Sequence, residues 1–174
     1  MKKRRIVVIV GSKSDLVQCY DGLRLLKNSE NVEVPGVYIR SQHRNTLATQ
    51  ELLKKLTEQE IDVAIIGAGW ANHLTGCSDA YLRYTLKDSK IVVIGVAFED
   101  KENKKHTQAA VLSITEVPGT QVVFDEKANL FIGPGGFSDA CFMAVKETLP
   151  VIQLPKPRDP MDLTLDEALK LASE

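Results

Sequence analysis

Ile6-Val7-Val8-Ile9-Val10-Gly11-Ser12-Lys13-Ser14-Asp15 decides how the rest of the chain reads. A run of consecutive β-branched residues suits a strand covered on both faces, because a strand with one wet face would alternate apolar and polar residues. Gly11 stops the run, and Ser14 or Asp15 can cap a helix behind it. Leu16, Tyr20, Leu23 and Leu26 then recur at helical spacing and are expected to share one buried face.

The same grammar repeats downstream. Residues 32–39, 62–66 and 91–96 read as strands, with Pro35 marking an irregular or edge start to the second. A second helix begins at Asn45 or Thr46, with Ala48, Leu52 and Leu56 expected on its buried face, and a third runs through Leu82 and Leu86. Strands alternating with helices predict an α/β fold, with a central parallel sheet and helices on both faces. Right-handed crossovers put successive strand ends on one edge, where open α/β sheets bind ligands.

The second half is less regular. The charged segment 98–106 reads as a loop, 107–114 as a helix, and Pro118-Gly119 as a turn into 121–124. Residues 130–132 are a further short strand or the second arm of a hairpin. Gly133-Pro134-Gly135-Gly136 breaks the chain before a helix at about 138–148. The expected organisation is a single α/β domain over 1–152, then a linker with Pro155, Pro157 and Pro160, and a short amphipathic helix over 163–172 that could dock on a neighbouring subunit.

Composition narrows the function. Lys plus Arg is 22 and Asp plus Glu is 23, a formal net charge of -1, which gives no electrostatic case for nucleic acid or an acidic membrane as partner. Cys19, Cys77 and Cys141 form no CxxC pair and suit reduced thiols in a cytoplasmic protein. The basic lead Met1-Lys2-Lys3-Arg4-Arg5 could open a secretory leader, but the apolar run behind it ends at Gly11, too soon for a secretory core or a membrane span.

Three turns carry the chemistry. In Gly11-Ser12-Lys13-Ser14-Asp15, glycine lets the backbone approach a ligand, and the helix start and the Ser12 and Ser14 hydroxyls offer donors to an anion. Asp15 would repel a phosphate, so it suits sugar hydroxyls, unless the turn is only an N-cap. Ser41-Gln42-His43-Arg44 places a proton-transfer group between a hydroxyl donor and a guanidinium fork matched to phosphate. Gly67-Ala68-Gly69-Trp70-Ala71-Asn72-His73-Leu74-Thr75-Gly76 leaves backbone N–H groups room to face a ligand. There His73 either caps a helix or touches the ligand, and Trp70 stacks on a base or fills an interface. The P-loop, GxGxxG, GxSxG and HExxH patterns are absent. The expectation is a protein without cofactor or metal that handles a phosphorylated small molecule by proton transfer.

In this order, the three motifs resemble the purine-biosynthesis family of N5-carboxyaminoimidazole ribonucleotide mutases and aminoimidazole ribonucleotide carboxylases, over roughly residues 5–148. The resemblance implies a flavodoxin-like three-layer sandwich and a homo-octamer with active sites at subunit contacts. It implies that Ser12, Asp15, Ser41 and Arg44 hold the ribonucleotide, with Asp15 on the ribose and Ser41 and Arg44 near the phosphate. Ser14 joins that set, and Gly69, His73 and Leu74 shape the pocket around the ring and the carbon dioxide. His43 would be the general acid/base of an isomerase that moves a carboxyl group through trapped carbon dioxide. This chain departs from the family pattern at Gln42 (usually Ala), Trp70 (Gly), Asn72 (Ala), Thr75 (Pro) and the stretch 133–140. Arg44 and His73-Leu74 favour the mutase branch. The alternatives are direct carboxylation, a non-catalytic nucleotide-binding relative, and a flavin binder.

Overall fold

The computed structural model describes every residue except Met1 and Glu147. Four strands, β1 (Arg4–Val10), β2 (Val32–Ile39), β3 (Val63–Ala68) and β4 (Val92–Ala97), form one parallel sheet in the order β2-β1-β3-β4. Strand alternation decides which side chains meet which helices. Ile6, Val8, Val10, Ile65 and Ile94 point to one face, against Leu26 of α1 (Tyr20–Asn28) and Phe137 and Cys141 of α5 (Gly133–Val145). Val7, Ile9, Ile66 and Val93 point to the other, against Leu52, Leu53 and Leu56 of α2 (Thr46–Glu58) and Leu74 of α3 (His73–Ala80). The result is a flavodoxin-like three-layer sandwich. The residues of β1 from Ile6 to Val10 are fully buried, each isoleucine or valine stabilising the fold by roughly 1.5–3 kcal/mol.

The edge position expected from Pro35 holds: β2 is an outer strand, and its register against β1 shifts between Arg5 and Val7. At the opposite edge, two separate runs extend β4. Gly95 N–H donates to the Val123 carbonyl at 2.8 Å, and Ala97 N–H donates to the Phe131 carbonyl at 2.9 Å. Between them the chain leaves the sheet as a hairpin, β5 (Asp125–Glu126) against β6 (Asn129–Leu130). Lys127 and Ala128 turn it in the left-handed region, at φ 53° and 67°. Both readings of 130–132 are therefore in part correct.

Other expectations shift. Ser14–Cys19 is a 3₁₀ helix, three residues per turn, and α1 starts only at Tyr20. The change of pitch moves Tyr20 off the buried face, and it is 63% exposed. In α2, Ala48 is exposed and Thr49 is buried in its place, its hydroxyl donating to the Asn45 carbonyl at 2.9 Å. The expected loop at 98–106 ends sooner, because α4 (Lys104–Thr115) starts behind an Asn103 cap. Gly133-Pro134-Gly135-Gly136 does not break the chain before α5; it is the first turn of that helix. Proline is tolerated there because its missing N–H has no helical partner. A Cβ at Gly136 would collide with the Phe131 backbone. The helix ends at Val145, short of the expected 148, and Glu147 lies outside the described residues. The tail forms α6 (Leu165–Ala172) with a Thr164–Glu167 capping box. Among the described residues, no helix is long and apolar enough to cross a membrane.

One buried polar knot sits away from the carboxyl edge of the sheet, at the start of β4. Beyond α3 the chain makes a π-helical turn, Tyr81–Thr85. It carries Arg83, which is fully buried. Its Nε donates to Asp79 Oδ1 at 3.0 Å, Nη2 to the Ile91 carbonyl at 2.6 Å and Nη1 to the Asp88 carbonyl at 2.9 Å. Asp79 Oδ2 accepts from Gln121 N–H at 2.9 Å. The knot ties α3, the start of β4 and the strand beyond it. Arg83→Met should destabilise the protein by about 3–5 kcal/mol in urea unfolding, because Asp79 is left charged and buried. A loss below about 1 kcal/mol would show that the knot is not a structural tie.

Candidate active site

The carboxyl ends of β1 and β3 are pressed together. Gly11 N–H donates to the Gly67 carbonyl at 3.0 Å, and a Cβ on Gly11 would lie 2.8 Å from that of Ala68. A Cβ on Gly67 would lie 2.7 Å from the Phe98 ring. Arg40 N–H donates to the Val10 carbonyl at 2.8 Å, which carries the β2 end to the same edge. Above this edge opens a cleft of about 720 Å³. The sequence-nominated residues all line it: Ser12, Ser14 and Asp15 from the first turn, Ser41, His43 and Arg44 from the second, and Gly69, His73 and Leu74 from the third.

Asp15 lines the cleft from the first turn. It is 9% exposed, and its Oδ2 accepts from Ser12 Oγ at 2.9 Å. Ser12 Oγ lies 2.8 Å from Ser14 Oγ. With one proton on each hydroxyl, Ser14 donates to Ser12 and Ser12 donates to the carboxylate. Burial pushes the Asp15 carboxyl above its ordinary value, opposed by the Ser12 hydroxyl and by backbone N–H groups of Ser12 and Gly69.

The second turn is held by its own backbone. Ser41 is buried, and its Oγ accepts from Arg44 N–H at 3.3 Å. Ser41 N–H donates to Asn45 Oδ1 at 3.2 Å, and the Thr46 hydroxyl donates to the Gln42 carbonyl. This bracing leaves the His43 and Arg44 side chains exposed at the cleft. His43 Nε2 lies 2.9 Å from His73 Nδ1, the two rings edge to face with centroids 5.1 Å apart. Only one hydrogen fits on that line, so the two rings share it.

His73 opens α3, but the cap is Asn72. Asn72 is fully buried: Oδ1 accepts from Thr75 N–H at 3.2 Å, and Nδ2 donates to the Val96 carbonyl at 3.0 Å. Thr75 Oγ1 sits 2.9 Å from Asn72 Oδ1 and 3.0 Å from the Ile66 carbonyl. The two departures Asn72 and Thr75 thus form one polar pair that pins the start of α3 to β3 and β4. That pair leaves His73 free to face His43.

Sequence reasoning did not find the partner of Trp70. Trp70 stands at φ 57° and stacks on His106, centroids 3.8 Å apart and planes at 20°. His106 Nδ1 lies 2.7 Å from Asp100 Oδ2, and its Nε2 lies 3.2 Å from Asn103 Nδ2. Asn103 Oδ1 already accepts from Lys105 N–H, so Nδ2 is the donor to His106. His106 therefore carries its hydrogen on Nδ1 and gives it to Asp100. That bond, helped by the N–H groups of Glu102 and Asn103, lowers the Asp100 carboxyl from its ordinary value. No local motif in 98–106 signals this contact. Among the described residues, no three His, Cys, Asp or Glu side chains gather as a metal set.

Fold and cleft together define a flavodoxin-like α/β protein with a polar cleft at the carboxyl edge of its sheet. The fold is similar to that of Treponema denticola PurE, with a TM-score of 0.56 and 15% identity over 82% of this chain and 87% of that one. It is equally similar to a type II dehydroquinase from Butyrivibrio crossotus, with a TM-score of 0.55 and 16% identity over 83% and 99% of the two chains. Identity this low speaks for the fold alone. The sequence is more specific: the family described as AIR carboxylase matches residues 5–146, and the chain belongs to it. The chain is also 33% identical over 118 residues to the N5-carboxyaminoimidazole ribonucleotide mutase of Pyrococcus horikoshii. That match spans 67% of this chain and 60% of the relative's length.

The Asp15 carboxyl sets a pH signature. The folded state holds its proton more tightly than the unfolded chain, so this group's penalty is absent below about 3.8 and grows as pH rises through the raised folded value. Asp15→Asn does not titrate. Its stability relative to wild type should therefore climb with pH from about 4 and level off towards neutrality, as read by thermal unfolding at a series of pH values. A difference constant with pH would contradict the raised carboxyl.

Proposed function

We propose that this cleft interconverts N5-carboxyaminoimidazole ribonucleotide and 4-carboxy-5-aminoimidazole ribonucleotide through trapped carbon dioxide, with His43 as general acid and base. The observation that carries the reading is the 2.9 Å contact of His43 with His73 in the cleft that Asp15 also lines. Membership of the AIR carboxylase family supports it.

In this account Arg44 and Ser41 take the phosphate, where a guanidinium fork and a hydroxyl offer charged and neutral donors. Asp15, already polarised by Ser12, accepts from the ribose. The bond from the exocyclic nitrogen to the carboxyl carbon breaks and releases carbon dioxide, and His43 supplies the proton the nitrogen needs. Carbon dioxide then adds to ring carbon 4, and His43 takes back the proton that carbon loses. The proton count closes, and no redox partner is called for. When His43 holds the extra proton, His73 Nδ1 accepts from Nε2 and steadies the imidazolium. The Gly-rich turn closes over the carbon dioxide, whose escape would end the reaction.

Residues 1–152 would be the catalytic domain, working as a cytoplasmic homo-oligomer, an octamer if it assembles as the resemblance implies. The family description also favours a second reading, direct carboxylation of aminoimidazole ribonucleotide.

Purified protein should convert N5-carboxyaminoimidazole ribonucleotide, and His43→Asn should lower turnover by roughly 10²–10⁴-fold while calorimetry still detects ribonucleotide binding. Undiminished turnover in His43→Asn would remove its role. Product formed from aminoimidazole ribonucleotide and bicarbonate, with none from the carboxylated precursor, would select the carboxylase.

A further inference from the structure

Trp70 is the chain's single tryptophan, and the reaction just described leaves it without a task. Its geometry is unusual in three ways. It holds a left-handed backbone conformation at φ 57°, which a bulky residue adopts only when its surroundings enforce it. It borders the cleft, whereas His106, stacked on it, is not part of the cleft wall. And 65% of it stays exposed although one face is covered. His106 is itself fixed by Asp100 and Asn103. The indole is thus a flat plate braced from behind, with its remaining surface open.

The charges around the cleft are segregated. Arg44 stands at the second turn, while Glu99, Asp100 and Glu102 line the wall beside Trp70, with Lys101 as the one cation among them. A phosphate is attracted to the Arg44 side and repelled from the Trp70 side. What is left for the Trp70 side is the end of the ligand remote from its phosphate, and a planar ring there gains most from a plate of this kind. Ring amino groups would also find acceptors in the neighbouring carboxylates.

We propose that Trp70, braced by His106, is a stacking platform for the planar, amino-substituted heteroaromatic ring of the ligand, and so a specificity-determining residue of this cleft. The proposal deepens the ribonucleotide reading and rests on it for the identity of the ring. Trp70 acts by direct contact; His106 is a positioning residue that acts through Trp70.

The lone indole reports its own contact by fluorescence. The probes are 5-aminoimidazole ribonucleotide and ribose 5-phosphate, which share sugar and phosphate and differ by the ring. The ribonucleotide should change Trp70 emission saturably, and ribose 5-phosphate should bind weakly without that change. Trp70→Gly suits the left-handed backbone, so it should stay folded; its KM for the carboxylated ribonucleotide should rise roughly tenfold with kcat far less affected, as expected for loss of a stack felt equally in ground and transition states. His106→Ala should raise KM by a smaller factor, and His106→Phe, which restores the stack without the bond to Asp100, should recover it. Ribonucleotide binding by calorimetry with unchanged emission and an unchanged KM in Trp70→Gly would overturn the platform while leaving the ribonucleotide reading intact. Emission that ignores ligand and shifts to the blue with protein concentration would place Trp70 in a subunit contact and also overturn it. If wild type neither binds nor turns over these ribonucleotides, that reading fails by itself. The platform then stands if adenosine 5′-monophosphate changes the emission, and falls if it does not.

Discussion

The close approach of β1 and β3 at their carboxyl ends is the constraint on which the cleft depends. Gly11 and Gly67 face neighbours so near that neither has room for a Cβ. The two strand ends therefore stay hydrogen-bonded to the last residue, and the turns that follow leave the sheet side by side. The buried β-branched run of β1 makes this approach rigid, because its side chains pack into helices on both faces at once. A side chain at Gly11 would push apart the two turns that hold Asp15 and His73, and one at Gly67 would collide with the Phe98 ring.

Upon this edge the site divides its work between burial and exposure. Asp15 is sunk beneath the first turn and tuned by hydroxyls and backbone N–H groups. His43 and Arg44 stand out of a turn whose backbone is fully braced by Ser41, Asn45 and Thr46. Asn72 and Thr75 do for the third turn what the glycines do for the first. They secure the origin of α3 through buried hydrogen bonds, so that His73 meets His43 at 2.9 Å. Departures from a family pattern that look disruptive one at a time act here as a pair, since Thr75 and Asn72 satisfy each other. The same physics explains why Trp70 is tolerated at a left-handed position: its ring is held by His106, which is held in turn by Asp100.

Much of this was legible in the chain itself. The strands at 6–10, 62–66 and 91–96 could be read because buried parallel strands need unbroken β-branched runs, and the turns because glycine and hydroxyl residues follow each run directly. Helical faces were legible only where the pitch was regular. The 3₁₀ start at Ser14–Cys19 put Tyr20 out of phase, and no side-chain pattern marks such a change of pitch. The Gly-Pro stretch at 133–136 read as a break because proline and glycine usually end helices, while here they begin one under a packing constraint from Phe131. Asp79 and Arg83, four residues apart, were a legible ion pair that went unread. The Trp70–His106 stack was not legible, since its partners lie 36 positions apart and meet only because β3 and β4 are neighbours.

The central claim is that these three turns form one ribonucleotide site, with the phosphate and ring ends placed by charge. A crystal structure of the His43→Asn protein with 4-carboxy-5-aminoimidazole ribonucleotide tests it most directly. The account predicts phosphate against Ser41 and Arg44, ribose on Asp15, and the ring between residue 43 and the Gly-rich turn. A ligand bound outside this cleft, or one with its phosphate beside Glu99 and Asp100, would contradict it.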